Sequence, residues 1–249
     1  MSVRHALVIS LCCLGLFAAT PTHAVTVLVD ENFNHPDGSL VGQVPTPGPG
    51  GVWLNHSGTL GDLLVSSGVA VVQHGVPSED AHTEFAPVTD NGIYATFDAS
   101  VSDDSKIAGD DFEYFAHFSD GGSFNFYGRV DVVPPNDPNS GDFTLGISTA
   151  SGTAEAILPT DYNFGDVLRV TVKYNFVSGL ARLTVGGDSV SSTGVVVAPG
   201  IAAFNLRQSD SSNNETVFVD NLLVQYVPEP ASFGLMLLGL VGMVSRRHI

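Results

Sequence analysis

The chain has 249 residues, 26 acidic against 9 basic, and a formal net charge of −17. Such an excess of carboxylate repels phosphate backbones and anionic headgroups, and so excludes nucleic acid and anionic lipid as partners of the body. Only 14% of residues are charged and 27 are glycine, a composition suited to short strands joined by tight turns.

From the N-terminus, Met1 to Ala24 reads as a secretory signal peptide. Arg4 and His5 form a weakly basic start, Ala6 to Ala19 an apolar core, and Thr22-His23-Ala24 a small-x-small site for signal peptidase. A cut after Ala24 starts the mature chain at Val25. Cys12 and Cys13 leave with the signal, and Leu11 stands where a lipoprotein signal places a small residue. The exported body then has no cysteine. Disulfides, thiol catalysis and thiolate metal sites are excluded, and stability rests on core burial or a bound cation.

The body, 25–226, has the length of one all-β domain. Pro45 to Gly51 and Val132 to Gly141 are expected loops. Ile93, Ala95, Phe97, Ala99 and Val101 alternate with polar residues, which predicts a strand with one buried face. Val167 to Tyr174, Leu180 to Val185 and Val217 to Val224 are further β-rich runs, separated by Gly-, Asn- and Asp-containing turns. No mature segment sustains a helical period. The expected architecture is an all-β sandwich of two antiparallel sheets, a jelly roll.

The clearest hairpin is Asp111 to Phe118, a turn at Ser119 to Ser123, and Phe124 to Val133. Pairing Phe118 with Phe124 puts Phe112, Tyr114, Ala116, Phe118, Phe124, Phe126, Gly128 and Val130 on the core face, and sets Glu113 opposite Arg129 and Tyr114 opposite Gly128, where the ring can cover the bare backbone. The other face then carries Glu113, Phe115, His117, Asn125, Tyr127 and Arg129. Rings, an amide, a guanidinium and a carboxylate on one sheet face suit a sugar, whose C–H faces stack on rings while its hydroxyls take polar partners.

Motifs for nucleophilic, metal-dependent or phosphoryl chemistry are absent from the sequence. Asp111 and Glu113, two apart on one strand, are the only spacing that suggests an acid/base pair. His35, His56, His74, His82 and His117 are scattered without ligand spacing.

The C-terminus has three parts: Val227-Pro228-Glu229-Pro230-Ala231-Ser232, the apolar run Phe233 to Val244, and Arg246-Arg247. The prolines favour an extended grip site. The uncharged run falls short of the ~20 residues of a comfortable span, and the arginines act as a cytoplasmic stop. This tail resembles the PEP-CTERM sorting signal of Gram-negative bacteria. The resemblance implies an apolar helix held transiently in the inner membrane and cleavage by exosortase near Pro228, Glu229 and Pro230.

In the body, Asp30-Glu31-Asn32-Phe33, Asp37-Gly38-Ser39-Leu40, Trp53, Phe204-Asn205-Leu206-Arg207-Gln208 and Val219-Asp220-Asn221-Leu222 resemble concanavalin/laminin-G-like sandwich domains. The resemblance implies adjacent first and last strands and a structural Ca²⁺ held by Asp30, Glu31 and Asp220, since hard oxygen ligands suit that ion. Asp103, Asp104, Asp110 and Asp111 form a second acidic group. Two functions follow as expectations. One is a non-enzymatic structural or adhesive protein of the cell surface or extracellular polymer, binding polysaccharide through a sandwich face. The other is a glycan-processing enzyme on the same fold.

Overall fold

The alternation over Ile93–Val101 is realised as expected: all five apolar residues are buried, because a pleated strand sends successive side chains to opposite faces. The computed structural model describes residues 25–103, 107, 113–122, 124–209 and 215–228. The expected signal peptide and C-terminal helix lie outside the described residues, with Glu229, Pro230, Arg246 and Arg247. So do Asp104, Asp110, Asp111 and Phe112.

In chain order the first strands are β1 (Thr26–Glu31), β2 (Gly38–Ser39), β3 (Trp53–Gly58), β4 (Leu64–Ser66), β5 (Val69–Gln73) and β6 (Glu79–Val88). Next come β7 (Gly92–Val101), β8 (Glu113–Ser119), β9 (Phe126–Val133), β10 (Thr144–Ser148) and β11 (Ala156–Ile157). The last are β12 (Leu168–Asn175), β13 (Leu180–Val185), β14 (Asp188–Ser191), β15 (Ile201–Arg207) and β16 (Thr216–Tyr226). A nine-stranded sheet runs β14-β13-β12-β7-β16-β5-β4-β2, with β1 also paired to β16. A seven-stranded sheet runs β11-β10-β9-β8-β15-β6-β3. The expected antiparallel two-sheet sandwich is the architecture found, and no helix occurs among the described residues. Strand β9 extends into the expected loop at Val132 and Val133.

Aromatic rings join the two sheets. Phe97 of β7 lies 6.1 Å from Phe115 and 5.9 Å from Phe204, and Phe118 lies 5.7 Å from Phe204. All four are buried. Burying a side chain of this size contributes roughly 1.5–3 kcal/mol.

Strands β1 and β16 pair as Thr26↔Tyr226 through Glu31↔Leu222, so the beginning and end of the body lie side by side. The free edge of β1 is covered by Pro45 to Gly51: Asp30 N–H donates to Pro49 O at 2.8 Å and Gly48 N–H to Asp30 O at 2.9 Å. Prolines here bring no spare donor, which blunts an edge otherwise open to another strand.

Carboxylates, rather than disulfides, fasten the long loops. Glu79 Oε2 accepts N–H groups of Gly61, Asp62 and Leu63 at 2.9–3.0 Å, while Oε1 accepts Asn55 Nδ2 at 2.8 Å. Glu155 takes Ala150 and Ser151 N–H on Oε1 and Thr193 and Gly194 N–H on Oε2. Burial opposes its ionisation, yet these donors hold its pKa below the ordinary value. Asp161 accepts from Asn136, Asp137 and Ser140, and is held down to about 2 although burial acts the other way. Hydrogen bonds to a charged acceptor are roughly twice as strong as neutral ones. The acidic excess is thus partly structural.

Candidate functional site

The β8–β9 hairpin exists, but its register differs from the expected one. Phe118 faces Tyr127, Ala116 faces Val130, and Tyr114 faces Asp131. Register shifts interrupt the ladder between Tyr114 and Ala116 and again between Ala116 and Phe118. On the partner strand Gly128 takes φ 60°, where a Cβ would sit 3.4 Å from Ala181 and Val172. A left-handed glycine inside a strand makes a bulge, and a bulge inverts the facing of every residue beyond it. Half of each strand is therefore turned over.

Tyr127, expected on the ligand face, is buried with its ring centroid 5.5 Å from that of Tyr174. Phe115 is likewise in the core. Tyr114, Phe124 and Phe126, expected in the core, lie on the outer face with His117 and Arg129. Asn125 donates through Nδ2 to Asp120 Oδ2 at 2.9 Å within the turn. Glu113 accepts Arg207 Nη1 at 3.4 Å rather than facing Arg129.

The outer face of the seven-stranded sheet gathers rings and guanidinium groups from β3, β6, β15, β8 and β9. The Arg207 guanidinium stands 4.2 Å from the Tyr114 ring centroid, and that of Arg129 lies 5.4 Å from Tyr114 and 5.7 Å from Phe126. Phe126 packs on His117 at 4.3 Å, and His56 packs edge-on against Phe124 at 5.0 Å and Phe126 at 5.7 Å. Phe124 is 72% exposed. Arg129 is anchored by donation from Nη1 to the carbonyls of Thr149 and Ser151. Sequence reasoning missed Tyr114, His56, Phe124, Phe126 and Arg207 for this face. For His56 and Arg207 no local signal exists, since β3 and β15 reach β8 only through the sheet.

Several buried polar atoms of the same sheet have no hydrogen-bond partner: Arg129 Nε, both oxygens of Asp131, Ser148 Oγ, Asn205 Oδ1 and His82 Nδ1. Burial pushes the Asp131 carboxyl well above its ordinary range, although nearby Arg129 acts in the opposite direction. A buried polar atom left unpaired costs about 1–3 kcal/mol.

The residues expected to hold Ca²⁺ do not fit that ion. Asp30 and Glu31 are consecutive on β1 and so point to opposite faces. Both Glu31 oxygens are occupied by donors: Phe33 N–H at 2.7 Å and Thr46 N–H at 3.3 Å on Oε1, Trp53 Nε1 and His35 Nε2 at 3.0 Å on Oε2. Asp220 stands opposite Asp98, and Asn221 Nδ2 donates to both. Among the described residues no group of three or more His, Cys, Asp or Glu is placed to hold a metal ion.

Two histidines are buried in neutral form. His74 Nδ1 accepts Ser209 N–H at 2.7 Å and its Nε2 faces Glu215 Oε2 at 3.8 Å, while His117 Nδ1 donates to the Phe118 carbonyl at 3.1 Å. Burial holds both down to about 3. Between the unfolded value near 6.5 and about 3, the unfolded chain binds more protons, so each ring lowers stability as pH falls through that window. Asp131 has the reverse sign: its raised native pKa contributes stability at low pH that is lost as pH rises. Comparing a variant with the parent isolates one ring. Asn can offer Oδ1 where His74 offers Nδ1, so His74→Asn should narrow its stability gap to the parent by about 2 kcal/mol between pH 7 and pH 5. A constant gap in denaturant titrations would show that His74 is not neutral in the fold.

No curated protein matches the sequence. Similar solved structures include legume lectins, which share the concanavalin-like sandwich fold. They include the Lotus tetragonolobus seed lectin, at 12% identity and TM-score 0.47 over 72% of this chain and 94% of that one. The basic winged bean lectin, solved with Tn-antigen, matches at 14% identity and TM-score 0.49 over 84% and 100%. Peanut lectin matches at 13% and 0.46 over 84% and 99%. Among the described residues no helix is long and apolar enough to cross a membrane. Residues 227–247, beginning directly after β16, match the PEP-CTERM protein-sorting motif, so the chain ends in a sorting signal that implies export and processing by exosortase.

Proposed function

We infer that the protein is an exported, non-enzymatic component of the envelope or extracellular polymer of a Gram-negative bacterium, whose body binds polysaccharide through the outer face of the seven-stranded sheet. The sorting motif at 227–247 supports the delivery. The observation that carries the binding role is the ring platform of exposed Phe124 and half-buried Phe126 and His56, flanked by Arg129 and the Arg207–Glu113 pair. Rings at such angles offer faces for sugar C–H groups, and the flanking charges offer donors and an acceptor for hydroxyls. Binding is favoured over turnover because the carboxylates here are held by neighbours or buried: Glu113 is tied to Arg207, Asp80 accepts the Ser57 hydroxyl, the half-exposed Glu84 stands 3.5 Å from His82, and Asp131 is buried.

Phe124→Ala tests this reading. It removes an exposed ring, so stability should stay within ~0.5 kcal/mol of the parent, while retention on extracellular polysaccharide from the native host falls roughly fivefold to tenfold. Tyr127→Ala opens a core cavity instead, and is expected to cost ~3 kcal/mol. Unchanged retention of the Phe124 variant would sink the glycan-binding role.

A further inference from the structure

The body receives and releases its chain at one end of the nine-stranded sheet. Thr26 is the Cα partner of Tyr226, and Tyr226 is in turn the partner of Ile93 at the start of β7. Asn175, the last residue of β12, pairs with Gly92 at the same end. The β12–β13 turn, Phe176 to Gly179, therefore stands beside the chain's entry and exit. Val196 packs there too, its N–H donating to Gly179 O at 3.0 Å and its carbonyl accepting the Tyr174 hydroxyl.

On the nine-stranded sheet this end is apolar and poor in charge, while the β8–β9 turn of the other sheet brings Asp120 to the same end. Val177 is 84% exposed, Val195 63% and Val197 64%, with Val25 and Val27 exposed at the start of β1. In a chain with 26 acidic residues, the turns Thr89 to Asn91 and Phe176 to Gly179 and the segment Val195 to Pro199 carry one carboxylate, Asp90. Asp90 itself accepts the Tyr226 hydroxyl at 2.5 Å.

Chain length decides what can lie against this end. From Tyr226 to Ala231, where the uncharged run begins, there are five residues, which span at most ~18 Å fully extended. The apolar stretch Ala6 to Ala19 ends a similar distance before Val25. Both apolar segments are thus joined, through short connections, to the end of the body at which Thr26 and Tyr226 pair and the exposed valines lie. An acidic body is repelled by anionic lipid over most of its surface, whereas here apolar side chains and few carboxylates meet the bilayer. We propose that this end of the sandwich, formed by Val25, Val27, Val177, Val195 and Val197, is a membrane-apposed surface that rests on the lipid headgroup boundary while the tail is uncut. It thereby holds Pro228-Glu229-Pro230 at the bilayer for the sorting enzyme. This rests on the reading of the tail as a membrane-held sorting signal and extends it to the folded body.

The mature region has no cysteine, so single reporters can be placed in the full-length chain carrying C12S and C13S. V177C and V195C report on the proposed surface. V167C is the control, because Val167 is 74% exposed and precedes β12 at its other end, across a strand of eight residues that spans roughly 26 Å. The chain is reconstituted in phosphatidylcholine–phosphatidylethanolamine vesicles, recovered by flotation and treated with a charged, water-soluble maleimide. V177C and V195C should react roughly fivefold or more slowly than V167C, as expected for side chains at the interface. Equal rates at the three positions, in chain that floats with the vesicles, would overturn the apposed surface and leave the tail reading intact. Chain that does not float would overturn both. Slowing that depends on protein density in the membrane would assign the surface to a second copy of the chain and overturn the lipid assignment.

Discussion

Glu31→Ala is expected to lower the unfolding free energy by ~4 kcal/mol or more. Its carboxylate accepts four donors from four positions, and Trp53 and Phe33, two of those partners, are fully buried with ring centroids 6.0 Å apart. Removing the acceptor leaves the Trp53 Nε1–H and the Phe33 N–H without a partner inside the core. It also releases Phe33 from φ 50°, a left-handed conformation unusual for a bulky residue. Glu31→Gln should cost less, about 2 kcal/mol, because one carboxylate oxygen is replaced by an NH₂ that opposes the donors facing it. Denaturant unfolding with the slope held common measures both. An alanine variant within 1 kcal/mol of the parent would show that the four contacts do not act as the clasp of this corner.

Changing Pro228, Glu229 and Pro230 to alanine should abolish tail processing in a host that has exosortase, and a full-length, membrane-bound form should accumulate. The substitution alters the recognition element and leaves the apolar run and Arg246-Arg247 in place, so orientation in the membrane is retained. The structure adds a second expectation. Strand β16 ends at Tyr226, so a cut beyond it removes no residue of the sheet, and cleaved and uncleaved bodies should melt together. Arg246→Glu with Arg247→Glu removes the cytoplasmic stop and should misplace the tail while the Pro-Glu-Pro element stays whole. Fractionation and intact-mass measurement separate these outcomes. Normal processing of the alanine variant would reduce the tail to a plain hydrophobic anchor.

The candidate face was half legible before the fold was known. His117 and Arg129 are expected on it and lie there, inside the second irregular interval, between Ala116 and Phe118 on one strand and Tyr127 and Val130 on the other. Tyr114, Phe126 and Tyr127 were placed on the wrong side, since a period-of-two argument carries no information about where an extra residue interrupts the ladder. Gly128 was read as bare backbone for a ring to cover. In the fold it takes a left-handed conformation, where a Cβ would meet Val172 and Ala181 at 3.4 Å, contacts from strands distant in sequence.

The sequence by itself determined what depends on neighbours along the chain: the strands, whose alternation is a local period, and the sorting tail, whose prolines, apolar run and arginines act in order along a line. It also shows that residues 25–249 contain no cysteine, so no disulfide forms within them. Tertiary structure decided what depends on residues far apart. Glu31 is a clasp rather than a cation ligand because Thr46 and Trp53, 15 and 22 positions away, bring their N–H groups to it. The ring platform takes Arg207 from β15, which the sheet order sets beside β8, and His56 from the edge strand β3 of the same sheet. The chain's two ends meet because β16 pairs with β1. Such contacts are set by which faces bury most apolar surface together, a property of the assembled sheets that no single segment encodes.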